Sequence, residues 1–193
     1  MTSYQKITTA LPKYNPTLTP KTNKTQAAVA AILHPTKNNL NLLFIERAAH
    51  PKDPWSGHIG FPGGTIEPDD ADLQHTAERE TIEELGLDLA DADHLGRLDD
   101  VTGATLPVQV ACFVYAIRHP VELTPNDEVR EVFWTSFTHL ADPSHQQTLN
   151  LEGWPNMPAI DLLGLNRPLL WGLTYRLVTQ LVGFADIDLP KKT

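Results

Sequence analysis

Between Gly60 and Leu89 the chain gathers Arg79, Glu80, Glu83 and Glu84 into six consecutive positions. At roughly 100° per residue on a helix, the three glutamates fall within an arc of about 100°, so their carboxylates converge on one side of little more than one turn. Like charges at that spacing repel by roughly a few tenths of a kcal/mol per pair in water, and by more where solvent is excluded, unless a cation joins them. Mg2+ or Mn2+ suits such a group, because hard divalent cations take oxygen ligands and commonly share their shell with substrate phosphates. Taken alone, the trio describes a solvated acidic helix face better than a metal site, so its surroundings decide.

Those surroundings read as strand, loop and helix. Leu73 to Leu85 is predicted helical and stopped by Gly86, with Ala77, Thr81 and Leu85 on the arc facing the core. Before it, His58 to Phe61 reads as a short strand ending in the turn Pro62-Gly63-Gly64. Ala27 to Leu33 and Leu40 to Ile45 flank a turn-like segment and predict two antiparallel strands. Leu95 to Val101, Val108 to Ile117 and Val132 to Phe137 supply further strands. After Pro168, the recurrence of Leu170, Leu173, Leu177, Leu181 and Phe184 predicts a second long helix packing one stripe onto the sheet. Strands interleaved with two helices argue a compact α/β sandwich. Residues 1–25 hold Lys6, Lys13, Lys21 and Lys24, no acids and many Thr, Pro and Asn, which predicts a flexible basic arm ahead of one domain over 26–193.

Composition limits the partners. With 15 basic and 24 acidic residues the net charge is −9, which disfavours nucleic acid and anionic membrane surfaces. A small anionic substrate then needs local cations or a metal. Cys112, the single cysteine, sits in an apolar run, which predicts a buried thiol and no intrachain disulfide. Neither a secretory signal nor a membrane-length apolar stretch is evident, so a cytoplasmic protein is expected.

Gly63-Gly64, Arg79-Glu80, Glu83-Glu84, Gly86 and Leu87 together resemble the Nudix box: glycine, five residues, glutamate, seven residues, Arg-Glu, an apolar residue, any residue, Glu-Glu, any residue, glycine and an apolar residue. The chain has Thr81 at the apolar position and one residue more between Gly64 and Arg79. The early acid is therefore not fixed by spacing. Asp70 lies at the right distance from Gly64, Glu67 and Asp72 are neighbours, and any of them can pair with Arg79. Leu43 to Arg47, Phe61 to Gly64, Asn126 to Val129, Phe133-Trp134 and Trp171 to Arg176 are similar to segments of the coenzyme A diphosphatase branch, extending the resemblance over about residues 27 to 184. The loop from Arg47 to Gly57 departs from that branch: it is slightly longer and lacks the branch's arginine.

The resemblance implies an α/β/α sandwich with a mixed sheet and a divalent-metal-dependent hydrolase cleaving the pyrophosphate of a nucleoside-diphosphate-linked small molecule. Coenzyme A or a derivative is the first substrate class; ADP-ribose or another nucleoside diphosphate is the alternative, and a catalytically silent nucleotide sensor a further one. Glu80 and Glu84 are the implied principal metal ligands, Glu83 a further ligand or base, the Gly63 or Gly64 carbonyl a backbone ligand, and Glu128 a base or extra ligand. Arg79 is expected to orient the carboxylates through a bidentate pair. Arg47, Lys52 and Arg97 are candidates for phosphates, and Trp55, Phe61 or Trp134 for a ring, while His50 and His58 read as loop residues. The Trp171–Arg176 segment reads as a cover over the site or as the face of a homodimer, although helix packing alone would account for most of it.

Overall fold

The computed structural model describes residues 1–20, 23–50, 55–104 and 106–190. The apolar run after Thr25 forms β1 (Thr25–Pro35), which turns into β2 (Leu40–Arg47) as an antiparallel pair with Leu33 opposite Leu42. Short strands β3 (Ile59–Gly60) and β4 (Gly63–Thr65) follow; β3 joins β2, and β4 joins β1. The other edge of β1 pairs in parallel with β7 (Val108–Ala116), making the sheet mixed. β5 (Asp93–Arg97) and β6 (Val101–Thr102) both pair antiparallel with β7, and β8 (Val129–Ser136) pairs antiparallel with β2.

Apolar residues cover both faces of β1 and β7, as strands between two helical layers require. Ala28, Ala30 and Ile32 of β1, with Ala111, Phe113 and Tyr115 of β7, pack towards Ala77 and Leu85 of α2 (Leu73–Leu85). Ala27, Ala31 and Leu33, with Val110, Cys112 and Val114, pack towards Leu177, Val178 and Leu181 of α4 (Gly172–Gly183). The α/β/α sandwich is thus present. Cys112 is fully buried, and burial pushes its thiol up to about 12.

Several elements differ from expectation. The flexible arm is instead α1 (Ser3–Ala10), begun by a capping box between Thr2 and Gln5 and followed by a 3-10 turn at Leu11–Lys13. Ile7 and Leu11 are fully buried in the α4-side core, so a short apolar stripe anchors a segment whose average composition is polar. The strand expected from Leu95 to Val101 divides into β5 and β6, and the turn expected at Gly63-Gly64 is the ladder of β4. The last helix starts at Gly172, while Leu170 bridges Ile160. A short α3 (Phe137–Ala141) and a hairpin of β9 (Gln146–Leu151) and β10 (Trp154–Ile160) were not expected.

Candidate active site

The two glycines of β4 explain how α2 comes so close to the sheet. Gly63 has φ +151, and a Cβ there would lie 2.2 Å from the Ala28 carbonyl oxygen, so only glycine fits beside β1. Gly64 faces α2: a Cβ would lie 2.3 Å from Glu80 Oε1. One helical turn further, Glu84 Oε2 accepts the Gly63 N–H at 2.9 Å. Thr81, in the position the family fills with an apolar residue, is fully buried and donates its hydroxyl to the Ala77 carbonyl at 2.7 Å, so no polar group is stranded.

Arg79 ties the loop ahead of α2 to the helix. Its Nε and Nη2 donate to the two oxygens of Asp70 at 2.9 and 3.0 Å, and Nη2 also donates to the Thr65 carbonyl at 3.2 Å. Its Nη1 reaches Glu80 Oε1 at 3.0 Å and Glu83 Oε2 at 3.1 Å. Asp70 is therefore the acid, among the three left open by spacing, that pairs with Arg79. It also accepts from the Glu67 N–H and the Thr76 hydroxyl, each at 2.9 Å. The Arg79 hydrogen bonds hold its carboxyl well below the usual carboxylate range.

The far end of α2 places Glu128. Thr124 N–H and Asn126 N–H donate to the carbonyls of Leu85 and Glu84 at 2.8 and 3.0 Å, satisfying orphan acceptors of the last turn. Asn126 Oδ1 then accepts the Glu128 N–H at 2.9 Å, and the Glu128 carbonyl accepts from Ala48 N–H at 2.8 Å. This bracing sets Glu128 on the rim facing α2.

Glu80, Glu84, Glu128, Arg47, Trp55, Phe61 and Gly64 all line one cavity of about 570 Å³. Arg47 Nη1 stands 3.5 Å from Glu84 Oε1. Glu84 is 2% exposed, and burial pushes its carboxyl up to about 7, opposed by the Gly63 N–H and Arg47 and reinforced by Glu80 and Glu128. Burial likewise raises Glu80, with Arg79 opposing and Glu83 and Glu128 reinforcing. Phe61 is buried and stacked on Phe44 at 5.3 Å, so it forms wall and core at once.

Other candidates sit elsewhere. Glu83 is 54% exposed and lies with Arg79 in a shallow outer groove beyond the cavity. Arg97, expected at phosphates, is turned away: it pairs with the buried Asp100 at 2.6 Å and lies over the Phe113 ring at 5.3 Å. Trp134 stands beside His34 at 5.7 Å and packs on the α2-side core, outside the cavity. Lys52 lies outside the described residues. His58 lines the cavity against Trp171. The distal wall was largely unread in the sequence: Trp154 and Met157 of β10, Thr102, Gly103 and Leu106, and the start of α4 with Arg176. Trp171, Gly172, Leu173, Thr174 and Arg176 line the cavity, as the covering alternative expects.

Among the described residues, no three His, Cys, Asp or Glu side chains are grouped to hold a metal ion. The reason is local: Arg79 Nη1 holds Glu80 and Glu83, while Glu84 is turned to Gly63. The donor chemistry nevertheless fits a hard divalent cation, because the carboxylates of Glu80, Glu84 and Glu128 face one cavity and burial there disfavours the charged forms of Glu80 and Glu84.

The NUDIX domain pattern matches residues 24–152, and the chain belongs to the Nudix family. It is 36% identical over 130 residues to the mitochondrial coenzyme A diphosphatase NUDT8 of Mus musculus, covering 64% of this chain and 61% of that protein. It is 31% identical over 172 residues to the uncharacterized Nudix hydrolase NudL of Pectobacterium atrosepticum, covering 86% of this chain and 85% of that one. A MutT/nudix family protein from Enterococcus faecalis shares the fold with a TM-score of 0.59 at 18% identity, over 87% of this chain and 64% of that chain. The chain thus spans less than two thirds of the mouse relative's length.

Proposed function

We propose that the chain hydrolyses the pyrophosphate bond of a nucleoside-diphosphate-linked small molecule, with coenzyme A or a derivative as the preferred class. The observation carrying this reading is the convergence of Glu80, Glu84, Glu128 and Arg47 at one end of a cavity large enough for a nucleotide. The likeness to proteins named as coenzyme A diphosphatases, in mouse and human, supports the substrate class.

Glu80 and Glu84 would hold Mg2+ or Mn2+, joined by Glu83 or Glu128 and a glycine carbonyl of β4. Such a cation supplies Lewis acidity at a phosphoryl oxygen and hydroxide near neutral pH. Glu80 can offer Oε2 to it while Oε1 keeps its contact with Arg79 Nη1. Arg79 holds the loop and the ligand helix in register, and the Asp70 fork keeps it there. Glu128, which lines the cavity, takes the proton of the attacking water; Glu83 would first have to leave Arg79 and turn into the cavity. Arg47, with Lys52 five residues further along the sequence, would offset the charge of the diphosphate, and Trp55 and Phe61 wall a ring. Among the described residues no helix is long and apolar enough to cross a membrane, and we take the cytoplasm as the working compartment.

Coenzyme A, ADP-ribose, NADH, diadenosine polyphosphates and nucleoside triphosphates, each incubated with Mg2+ or Mn2+ and the products resolved by mass, test the reading. Divalent-dependent release of a bisphosphonucleoside and a phosphopantetheine from coenzyme A is expected. Preference for ADP-ribose moves the assignment to the broader nucleoside diphosphate class, and no metal-dependent cleavage of any diphosphate overturns it.

A further inference from the structure

The carboxylates and Arg47 account for one end of the cavity, and its opposite end carries a different charge. The floor between them is apolar: Ala27 and Val29 of β1, and Val108 and Val110 of β7, all line the cavity. Beyond that floor, at the junction of α4 and β6, Arg176 is the one charged lining residue among those described. Its Nη1 donates to the Thr102 carbonyl of β6 at 3.0 Å. That contact ties the exposed guanidinium to β6 beside the cavity. Thr102 lines the same end, whereas the Thr174 hydroxyl lies near β3, where a Cβ on Gly60 would meet it at 3.9 Å.

The sheet register gives the separation. Thr65, Ala27, Val110 and Val101 are neighbours in one row across β4, β1, β7 and β6. Three inter-strand spacings amount to about 14 Å. Gly64, against which Glu80 rests, and Thr102, to which Arg176 is tied, each adjoin one end of that row. The backbone positions at which the two charges are held are thus about 14 Å apart across the sheet, a distance bridged by a nucleoside and its phosphates lying over the apolar floor. A chain of net charge −9 repels anions in general, so a cation held at that distance from the metal-ligand face is a local exception.

We infer that Arg176 is a specificity-determining residue that receives a phosphomonoester on the substrate's ribose, remote from the diphosphate that is cleaved. The inference deepens the coenzyme A reading and rests on it, since a ribose phosphate is the whole difference between coenzyme A and dephospho-coenzyme A, and ADP-ribose lacks it as well. A planar fork with one nitrogen held by Thr102 offers its remaining N–H groups to two phosphate oxygens, a geometry lysine lacks. Arg47 does not serve this role, because it stands beside Glu84 at the other end.

The test needs no turnover. Calorimetric titration of the full chain with adenosine 3′,5′-bisphosphate and with adenosine 5′-monophosphate compares ligands differing by one ribose phosphate. The wild-type chain is expected to bind the bisphosphate about threefold to fivefold more tightly, a preference that shrinks with added salt, since one charge pair on an exposed arginine carries that order of discrimination. Arg176→Gln should bring the two affinities together while changing the monophosphate affinity little, and Arg176→Lys should retain part of the difference. Melting temperatures of both variants report the tie between α4 and β6 separately: a merely structural arginine would lower them and leave the affinity ratio intact. Equal affinities in the wild type, or an undiminished ratio in Arg176→Gln, overturns the inference. Loss of the coenzyme A reading shows instead as a failure to cleave coenzyme A while the affinity ratio persists.

Discussion

Replacing Gly64 by alanine should separate the integrity of the fold from the chemistry. The added methyl would lie 2.3 Å from Glu80 Oε1, 2.5 Å from its carboxyl carbon and 2.8 Å from Oε2. Glu80 must then retreat by about 1 Å to reach ordinary van der Waals contact. All three atoms belong to the far end of a flexible side chain, so the backbone has no cause to move. Alanine also narrows the unfolded ensemble by about 0.4–1 kcal/mol, which offsets a weakened Arg79–Glu80 pair of similar size. The melting temperature should therefore stay within about 3 °C of wild type, given about 2–4 °C per kcal/mol for a chain of this length. Turnover should drop by about two orders of magnitude, the common consequence of a 1 Å misplacement at a reacting centre. Gly63→Ala is the contrast: its methyl meets the Ala28 carbonyl at 2.2 Å and the Val29 Cα at 2.6 Å with φ at +151, so about 3 kcal/mol or more of stability should go. Calorimetric melting beside divalent-dependent diphosphate cleavage reads both. Near-normal turnover in Gly64→Ala, or a melting loss equal to that of Gly63→Ala, refutes the reasoning.

Glu80→Gln and Glu84→Gln keep the shape and remove the charge, so each should lower metal-dependent turnover by about two orders of magnitude with the fold intact; near-normal turnover in both sinks the ligand assignment. Arg79→Lys cannot reproduce the fork on Asp70 and should reduce kcat more than it raises KM, whereas a pure KM effect would mean that Arg79 touches substrate. Asp70 holds its proton less tightly in the folded state than in the unfolded chain, so its contribution to stability is complete above about pH 4 and is lost as pH falls below the usual carboxylate range. Chemical denaturation across pH 2–6 should show that acid limb flattened in Asp70→Asn; an unchanged limb assigns the acid sensitivity to other carboxylates.

The parts of the site written in local sequence were legible. Leu73–Leu85 is helical over the span its periodicity and Gly86 predicted, and the arc holding Glu80 and Glu84 was readable from residue spacing alone. Where one local signal allowed several partners, spacing stopped short: the extra residue before Arg79 left Asp70, Glu67 and Asp72 equivalent until the fork geometry separated them. Gly63-Gly64 read as a turn because paired glycines usually make one, whereas their strand character comes from β1, more than thirty residues earlier. Arg97 had the charge for a phosphate, but Asp100, three residues on, holds it. The distal wall joins Thr102 to Arg176 and β7 to β1, and the β9–β10 hairpin carries weak alternation, so no window of sequence contains it.

The anchoring of Ile7 and Leu11 separates two kinds of boundary that usually coincide. The segment recognisable as Nudix begins at residue 24, but the cooperative folding unit begins earlier. Two fully buried aliphatic side chains represent about 3–6 kcal/mol of apolar burial, a large share of the roughly 5–15 kcal/mol that holds an ordinary domain together. Gly96 records the same dependence from the opposite side: its Cα lies so close to Leu11 that a methyl there would stand 3.2 Å from the leucine Cγ. Cutting the gene at the edge of the recognisable motif would therefore excise part of the hydrophobic interior. An inactive fragment made that way would report a missing piece of scaffold, and would carry no information about the chemistry of the glutamates.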